Sequence, residues 1–235
     1  MGERHVVAMG GGGFSTESDN TRLDDFILDL TGASKPRVCF LPTPAGDDPG
    51  YARLFTETLG KRCSPSVAQL FNPSDPPVAE VVANADALYV SGGNTVNALA
   101  VWRAQGFDRV LRDAWERGVV LCGLSAGSIC WFESGVTDSL VLGGGLDAFT
   151  AGLGLLPGSH CPHYDTEELR RPTYHRLIGA GALPAGYAAD ECAALHFVGT
   201  ELREVVASRP GPAAYRVELA GSIATEERIP TRVLG

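Results

Sequence analysis

The sequence predicts an α/β fold built on a mostly parallel sheet with helices on both faces. Short apolar runs typical of strands alternate with helical stretches over the first half of the chain. Strands separated by helices of this length form parallel βαβ units. Several of the runs are apolar throughout rather than at every second residue, which is the pattern of strands that are covered on both faces.

The individual elements of the first half follow from the same patterns. Apolar runs bounded by glycine, proline or helical stretches predict strands over 5–9, 37–41, 67–71, 87–90 and 119–124. Apolar residues at helical spacing predict helices over 23–30, 51–59, 96–105 and 107–118.

The second half of the chain has a different pattern. A helix is predicted over 167–179, and three closely spaced strands over 193–198, 201–207 and 213–219. Their short connecting turns predict an antiparallel or mixed edge on the parallel sheet. Because no internal repeat, low-complexity segment or linker interrupts the chain, residues 1–235 are expected to form a single domain.

Composition excludes several classes of function. Hydrophobic residues make up 44% and charged residues 20% of the 235 residues, which is ordinary for a globular protein. The net charge of −9 argues against a nucleic-acid partner, which requires a clustered basic face. No run approaches the roughly 18 apolar residues of a membrane span. No signal peptide is evident, and the six cysteines include no C-x-x-C pair, so reduced thiols and a cytoplasmic location are expected.

The segment Gly123-Leu124-Ser125-Ala126-Gly127 lies between an apolar strand and an apparent helix. This is the G-x-S-x-G pattern of a nucleophile elbow in its required context. A sharp strand-to-helix turn leaves room for little but hydrogen two residues before and after the serine. It also places the Ala126 N–H at the first turn of the helix, where donors are unpaired. Ser125 is therefore the candidate nucleophile.

A serine nucleophile requires a base that is held by a third group. The base is expected in the loop that follows Leu156, where His160 and His163 both occur, and chemistry favours His163 only slightly. For the orienting acid, Asp165, Asp190 and Glu191 all remain open. A second oxyanion donor is expected in the turn Ser91-Gly92-Gly93-Asn94-Thr95, where two glycines allow close backbone approach.

These motifs follow each other in the order of one family. SGGNT, GLSAG, LGLLPGSHCPHYD and YAADECAALHF succeed one another between residues 10 and 197. In this respect the chain resembles peptidase E, an aspartyl dipeptidase, and its cyanophycinase relatives. The resemblance implies a three-layer α/β fold similar to that of the class I glutamine amidotransferases, and a Ser-His-Glu triad.

Transferred position by position, the resemblance assigns the catalytic groups. Ser125 in GLSAG matches the nucleophile, His163 in PHYD the base, and Glu191 in DE the acid. Gly93 and Ala126 match the oxyanion donors.

The substrate contacts come from the same transfer. Asn94 and Asp138 are expected to contact the substrate, with Asp138 near its amino terminus. Either Arg170 or Arg171 would bind a substrate aspartate. The implied reaction is the hydrolysis of small peptides, above all dipeptides with N-terminal aspartate, through an acyl-enzyme.

Two other functions fit parts of the sequence. An esterase of the α/β-hydrolase class could order its triad as Ser125, Asp190 and His196, although such enzymes have a His-Gly-Gly type loop where this chain has SGGNT. The second alternative is a non-catalytic binding protein on the same scaffold. Such a protein would not need a catalytically competent residue at every triad position, whereas this chain has one at each.

No cofactor is expected. No metal is expected either, because His160, His163 and Asp165 make only a partial ligand set. The glycine run 10–13 departs from nucleotide-binding spacing and is expected to line the mouth of the active site. The partner is a small peptide rather than a nucleic acid or a membrane, and the chain is expected to act as a monomer or homodimer.

Overall fold

The computed structural model describes residues 2–72, 77–141, 143 and 145–235. In chain order the strands are β1 (His5–Met9), β2 (Arg37–Leu41), β3 (Ser64–Val67), β4 (Ala87–Val90), β5 (Val120–Leu124), β6 (Phe132–Thr137), β7 (Asp147–Phe149), β8 (Leu156–Cys161), β9 (Gly186–Ala189), β10 (Ala193–Val198), β11 (Glu201–Ala207), β12 (Ala214–Ala220), β13 (Ile223–Ile229) and β14 (Thr231–Val233). The helices are α1 (Arg22–Leu30), α2 (Pro49–Leu59), α3 (Val78–Ala83), α4 (Thr95–Ala104), α5 (Phe107–Glu116), α6 (Ala126–Ile129) and α7 (Arg170–Gly179).

The first sheet has eight strands in the order β14-β11-β10-β1-β5-β4-β2-β3. Strands β1, β5, β4, β2 and β3 run parallel, and β10 is added antiparallel to β1. The α/β class predicted from the sequence is confirmed. Met9 pairs with Leu124, and Val90 pairs with Gly123. The C-terminal ends of β1, β4 and β5 therefore lie next to each other at the same end of the parallel strands.

Strand β3 ends earlier than its apolar pattern predicts. It covers Ser64–Val67, whereas the sequence indicated residues 67–71. The amides of Leu70 and Phe71 both donate to Asp47 Oδ2, at 2.6 and 2.8 Å. A side chain therefore takes the donors that a longer strand would give to the sheet.

A second sheet, which the sequence did not indicate, has the order β13-β12-β9-β8-β6-β7. Strands β10 and β11 do form the predicted antiparallel edge of the first sheet, but β12 pairs with β9 and β13 in the second one. Strand β8 runs parallel to β6 and β9 through a segment that the sequence indicated as a loop, so His160 lies in a strand. Its residues, LPGSHC, have too few apolar side chains to show a strand pattern.

The core covers both faces of the first sheet. Along β1, Val6 and Ala8 pack into one apolar cluster, while Val7 and Met9 pack into another. All four are fully buried, as expected for a strand covered on both sides. The first cluster also contains Leu156 of β8, so it joins the two sheets.

The six cysteines are all buried and none forms a disulfide. Across the described residues, no helix has both the length and the apolar character that crossing a membrane requires.

Candidate active site

Ser125 lies on a sharp turn between β5 and α6. Its backbone has φ 54° and ψ −115°, a conformation that residues with side chains rarely adopt. The Ser125 N–H donates to Met9 O at 3.3 Å, and its carbonyl accepts from the amides of Ser128 and Ile129. The turn is therefore fixed on one side by β1 and on the other by the first turn of α6.

The two glycines of the motif are required by close backbone contacts. A Cβ atom at Gly123 would lie 2.3 Å from Gly127 O, and one at Gly127 would lie 2.4 Å from Val90 O. Both distances are far below a van der Waals contact. Any larger residue at either position would push α6 away from the sheet.

His163 lies beside this turn because both are bonded to the end of β1. The His163 N–H donates to Gly10 O at 3.1 Å, one residue beyond the carbonyl that accepts from Ser125. His163 also has a positive φ of 52°. Its Nδ1 lies 2.6 Å from Glu191 Oε2. Since an ionised carboxylate can only accept, Nδ1 carries the proton and Nε2 is left free for another partner.

Glu191 lies between β9 and β10 and has three polar partners besides His163. Its Oε1 accepts from Gly12 N–H at 3.0 Å and from the Thr16 hydroxyl at 3.2 Å, and its own N–H donates to Asp165 Oδ1 at 2.7 Å. Burial by itself raises the pKa of Glu191. The hydrogen bond and charge of His163, with the bonds from Thr16 and Gly12, outweigh burial and lower the pKa below its ordinary value. The carboxylate is therefore ionised next to the imidazole.

The glycine run after β1 forms the support of this acid. A Cβ at Gly10 would lie 2.2 Å from Asp190 O, and a Cβ at Gly11 would lie 2.1 Å from Glu191 Oε2. The run thus packs directly against the turn that carries Glu191. That it lines the mouth of an active site stays a prediction. The donors Gly12 and Thr16 were not identified as site residues from the sequence, and the glycine run was the one signal that could have indicated them.

The predicted oxyanion donors lie in the turn of Ser125 and in the Gly92-Gly93 turn beside it. Gly93 has φ 131°, and a Cβ there would lie 2.2 Å from Pro44 O. A Cβ at Gly92 would lie 3.6 Å from Ser125 Cβ, which shows how closely this turn approaches the serine. Ala126 is buried and begins α6, so its amide is among those that the helix cannot pair.

A cavity of about 440 Å³ opens next to Gly93 and contains two of the predicted substrate contacts. The described residues that line it are Gly93, Asn94, Asp138, Ser139, Leu140, Val141 and Gly143. Asn94 Oδ1 caps α4 by accepting from Asn97 N–H at 2.8 Å. Asp138 is exposed and is the one charged side chain in this described lining, so the cavity suits a cationic group.

Neither candidate arginine is among the described residues of that lining. Arg170 is 3% exposed, and its Nε donates to Glu167 Oε2 at 2.7 Å while Nη1 donates to Val136 O at 2.8 Å. Arg171 forms an ion pair with Glu226 on β13 and stacks on Tyr164 and Tyr215. The structure therefore does not bring Arg171 to the cavity, and it buries Arg170 in other contacts.

Three other histidines lie in separate environments. His160 is completely buried, with Nε2 3.0 Å from Ser128 Oγ and Nδ1 3.2 Å from Tyr187 O. Burial lowers its pKa to about 3, so it is neutral. His196 pairs across the sheet with Val7, away from the strand ends, and its Nε2 lies 3.0 Å from His5 Nδ1.

The neighbouring acid Asp190 also has a structural partner. Its Oδ2 accepts from Ala213 N–H at 2.9 Å, and burial raises its pKa to about 6. Of the histidines and acids that the sequence left open as base and acid, the structure places His163 and Glu191 together.

No group of three or more His, Cys, Asp or Glu side chains suited to a metal ion occurs in the part of the chain that is described.

The chain is similar in sequence to known peptidases. A family model described as peptidase family S51 matches residues 6–205. The chain is 48% identical over 235 residues to the uncharacterized peptidase YgaJ of Bacillus subtilis (strain 168), covering 99% of this chain and 100% of that protein.

Two solved structures have a similar fold. A peptidase from an acI-B1 Actinobacterium gives a TM-score of 0.70 at 17% identity, over 97% of this chain and 95% of that one. A provisionally assigned peptidase E protein from Listeria monocytogenes EGD-e gives a TM-score of 0.61 at 15% identity, over 97% of this chain and 100% of that one. At such identities the likeness shows the fold alone.

Proposed function

Because the chain belongs to peptidase family S51 and is a serine peptidase, we propose that Ser125, His163 and Glu191 are its catalytic triad and that its substrates are small peptides. The observation that carries this proposal is the 2.6 Å contact between His163 Nδ1 and Glu191 Oε2, on a loop bonded to the same end of β1 as Ser125. A location in the cytoplasm and a monomeric or homodimeric state remain predictions from the sequence.

The proposed chemistry is acyl transfer to Ser125. Its Oγ attacks the scissile carbonyl carbon while His163 Nε2 takes the hydroxyl proton and later donates it to the leaving amine. Glu191 holds the imidazole in the Nδ1–H form and stabilises the imidazolium. Water then attacks the acyl carbon while His163 Nε2 takes its proton. The imidazolium returns that proton to Ser125 Oγ as the bond from Oγ to the acyl carbon breaks, which releases the product acid.

The transition-state charge is proposed to fall between two backbone donors. The Ala126 N–H at the start of α6 and the Gly93 N–H lie on the two turns that meet at Ser125. Donors of this kind stabilise an oxyanion without reorganisation, because the backbone is already fixed.

The proposed substrate is a dipeptide whose free amino terminus is recognised by Asp138. A cavity of about 440 Å³ lies within the usual range for a small ligand, and Asn94 offers its amide nitrogen there while its oxygen caps α4. The preference for N-terminal aspartate rests on the resemblance to peptidase E. Arg170 or Arg171 would have to exchange Glu167 or Glu226 for the substrate carboxylate.

The first test removes the nucleophile. Ser125→Ala should keep the melting temperature of the wild type and lose at least about 10³-fold in kcat on dipeptides. A fluorophosphonate probe should label the wild type and the control Ser128→Ala, but not Ser125→Ala. If Ser125→Ala hydrolyses dipeptides at the wild-type rate, the triad is assigned wrongly.

The same assay decides substrate preference through kcat/KM for Asp-Leu, Ala-Leu and Leu-Asp. A hydrogen bond between charged groups contributes about 2 kcal/mol, so Asp-Leu should exceed Ala-Leu by at least about tenfold. Equal values for Asp-Leu and Ala-Leu would refute the aspartyl preference and leave the triad untouched.

A further inference from the structure

Glu191 lies in a tight turn, and its backbone N–H has no partner within that turn. The Ala193 N–H donates to Asp190 O at 3.1 Å and closes the turn, and Cys192 has φ 67°. A positive φ at the third residue is the signature of a type II turn. In such a turn the amide of the second residue, here Glu191, points away from the closing hydrogen bond. The group that accepts from it therefore lies outside the turn.

That group is the carboxylate of Asp165. Asp165 Oδ1 accepts from the Glu191 N–H at 2.7 Å, a short distance for an amide donor. Asp165 lies only two residues after His163, and its side chain is exposed. One surface carboxylate thus connects the segment that carries the proposed base to the turn that carries the proposed acid.

The segment that begins at His163 needs such connections because its backbone is strained. His163 has φ 52°, and a residue with a side chain remains in this region only when its surroundings hold it there. Two backbone bonds contribute, from His163 N–H to Gly10 O and from Tyr164 N–H to Ala189 O, both at 3.1 Å. Asp165 adds the bond from this segment to the backbone of Glu191 itself.

We propose that Asp165 is a positioning residue for the reaction: by binding the Glu191 amide, it keeps the Glu191 carboxylate in register with the strained His163. The inference rests on the proposed function, because it matters only if His163 and Glu191 act together on Ser125. Asp165 is not among the described residues of the substrate cavity. Its loss should therefore lower kcat and leave KM nearly unchanged.

The experiment compares Asp165→Ala, Asp165→Asn and Glu168→Ala with the wild-type chain, using Asp-Leu and Ala-Leu as substrates. Asparagine keeps an oxygen at Oδ1 and can still accept from Glu191, whereas alanine cannot. Glu168 is the matched control because it is exposed in the same loop and carries the same charge. Each variant is also assayed for its melting temperature.

We expect Asp165→Ala to lose about 10- to 100-fold in kcat, the scale of a misplaced catalytic group, with KM within about twofold of the wild type. Asp165→Asn should recover most of the rate, and Glu168→Ala should match the wild type. The inference is overturned if Asp165→Ala is fully active, if asparagine is as poor as alanine, or if the rate falls only in parallel with folded protein.

Failure of the proposed function would look different. In that case Ser125→Ala would itself remain active. If Ser125→Ala is inactive while Asp165→Ala behaves as the wild type, only the role of Asp165 is refuted.

Discussion

His160 and His163 lie three residues apart and have opposite environments. His160 is fully buried on β8 between Ser128, Tyr187 and the ring of Phe132, which stacks on it at 4.8 Å between centroids. His163 lies beyond the end of the strand, and its side chain is 18% exposed. One ring nitrogen of His163 is bound to Glu191 and the other remains available for chemistry, whereas both nitrogens of His160 have partners.

Substitution should separate these two environments. His163→Ala should abolish dipeptide hydrolysis while the urea midpoint of unfolding stays close to that of the wild type. His160→Ala should lower the free energy of unfolding by about 2 kcal/mol or more, because it leaves a cavity and unpaired buried polar groups.

The pH dependence of stability gives a second readout for His160. Folding lowers its pKa from an ordinary 6.5 to about 3, so the unfolded chain binds more protons below pH 6.5. This residue therefore lowers the stability of the fold as the pH falls from 6.5 towards 3. Between pH 7 and pH 5 the wild type should lose more free energy of unfolding than His160→Ala does. An active His163→Ala, or a His160→Ala variant with wild-type stability, would contradict these assignments.

At the scale of elements, the loop that follows β1 supports the proposed acid through its lack of side chains. Gly10 and Gly11 pass directly under the turn of Glu191, and Gly12 donates its N–H to the carboxylate. The loop gives up side-chain packing at these positions so that its backbone can approach the acid closely.

Gly11→Ala tests this function of the loop. The new Cβ would lie 2.1 Å from Glu191 Oε2, so the carboxylate must leave its observed position beside His163. Hydrolysis should fall by about 100-fold, the effect expected of a misplacement near 1 Å. Gly2→Ala, where nothing lies within 4 Å of the new Cβ, is the control and should match the wild type. Full activity of Gly11→Ala would show that Glu191 does not need its observed position.

At the scale of the molecule, the candidate site is assembled by both sheets. Ser125 follows β5 of the first sheet, His163 follows β8 of the second, and Glu191 lies where the chain crosses from β9 to β10. The interface between the sheets is apolar. Phe197 of β10 packs against Phe132 of β6 and Tyr187 of β9, with ring centroids 5.7 and 5.4 Å apart.

A shared core of this kind predicts that residues 1–235 unfold as one domain. In a urea titration, dipeptide hydrolysis, tryptophan fluorescence and far-UV circular dichroism should be lost in one coincident transition. The fluorescence reports on Trp102, Trp115 and Trp131, which all lie in the cluster that joins the sheets. Loss of hydrolysis at a clearly lower urea concentration than the fluorescence change would mean that the second sheet unfolds separately.

The sequence alone determined the features that neighbours along the chain decide. The G-x-S-x-G turn at Ser125 was predictable because the whole pattern lies in five consecutive residues between an apolar strand and a helix. The contact that requires Gly123 is also local, since it is made with Gly127 O. The α/β class was predictable because strands such as β1, β4 and β5 are buried on both faces and therefore have continuous apolar runs.

Only the tertiary structure decided how distant residues meet. From the residues alone, two histidines and three acids remained possible, because the contact between His163 and Glu191 joins positions 28 residues apart. That contact depends on β8 and β9, whose small and polar residues give no periodic signal and become strands only by pairing within the second sheet. The position of Arg171 was decided in the same way, since its partner Glu226 lies on β13, which belongs to that sheet too. Steric limits on a turn and the apolar pattern of a strand depend on residues that are close in the sequence. The docking of two sheets depends on surfaces that exist only after each sheet has formed.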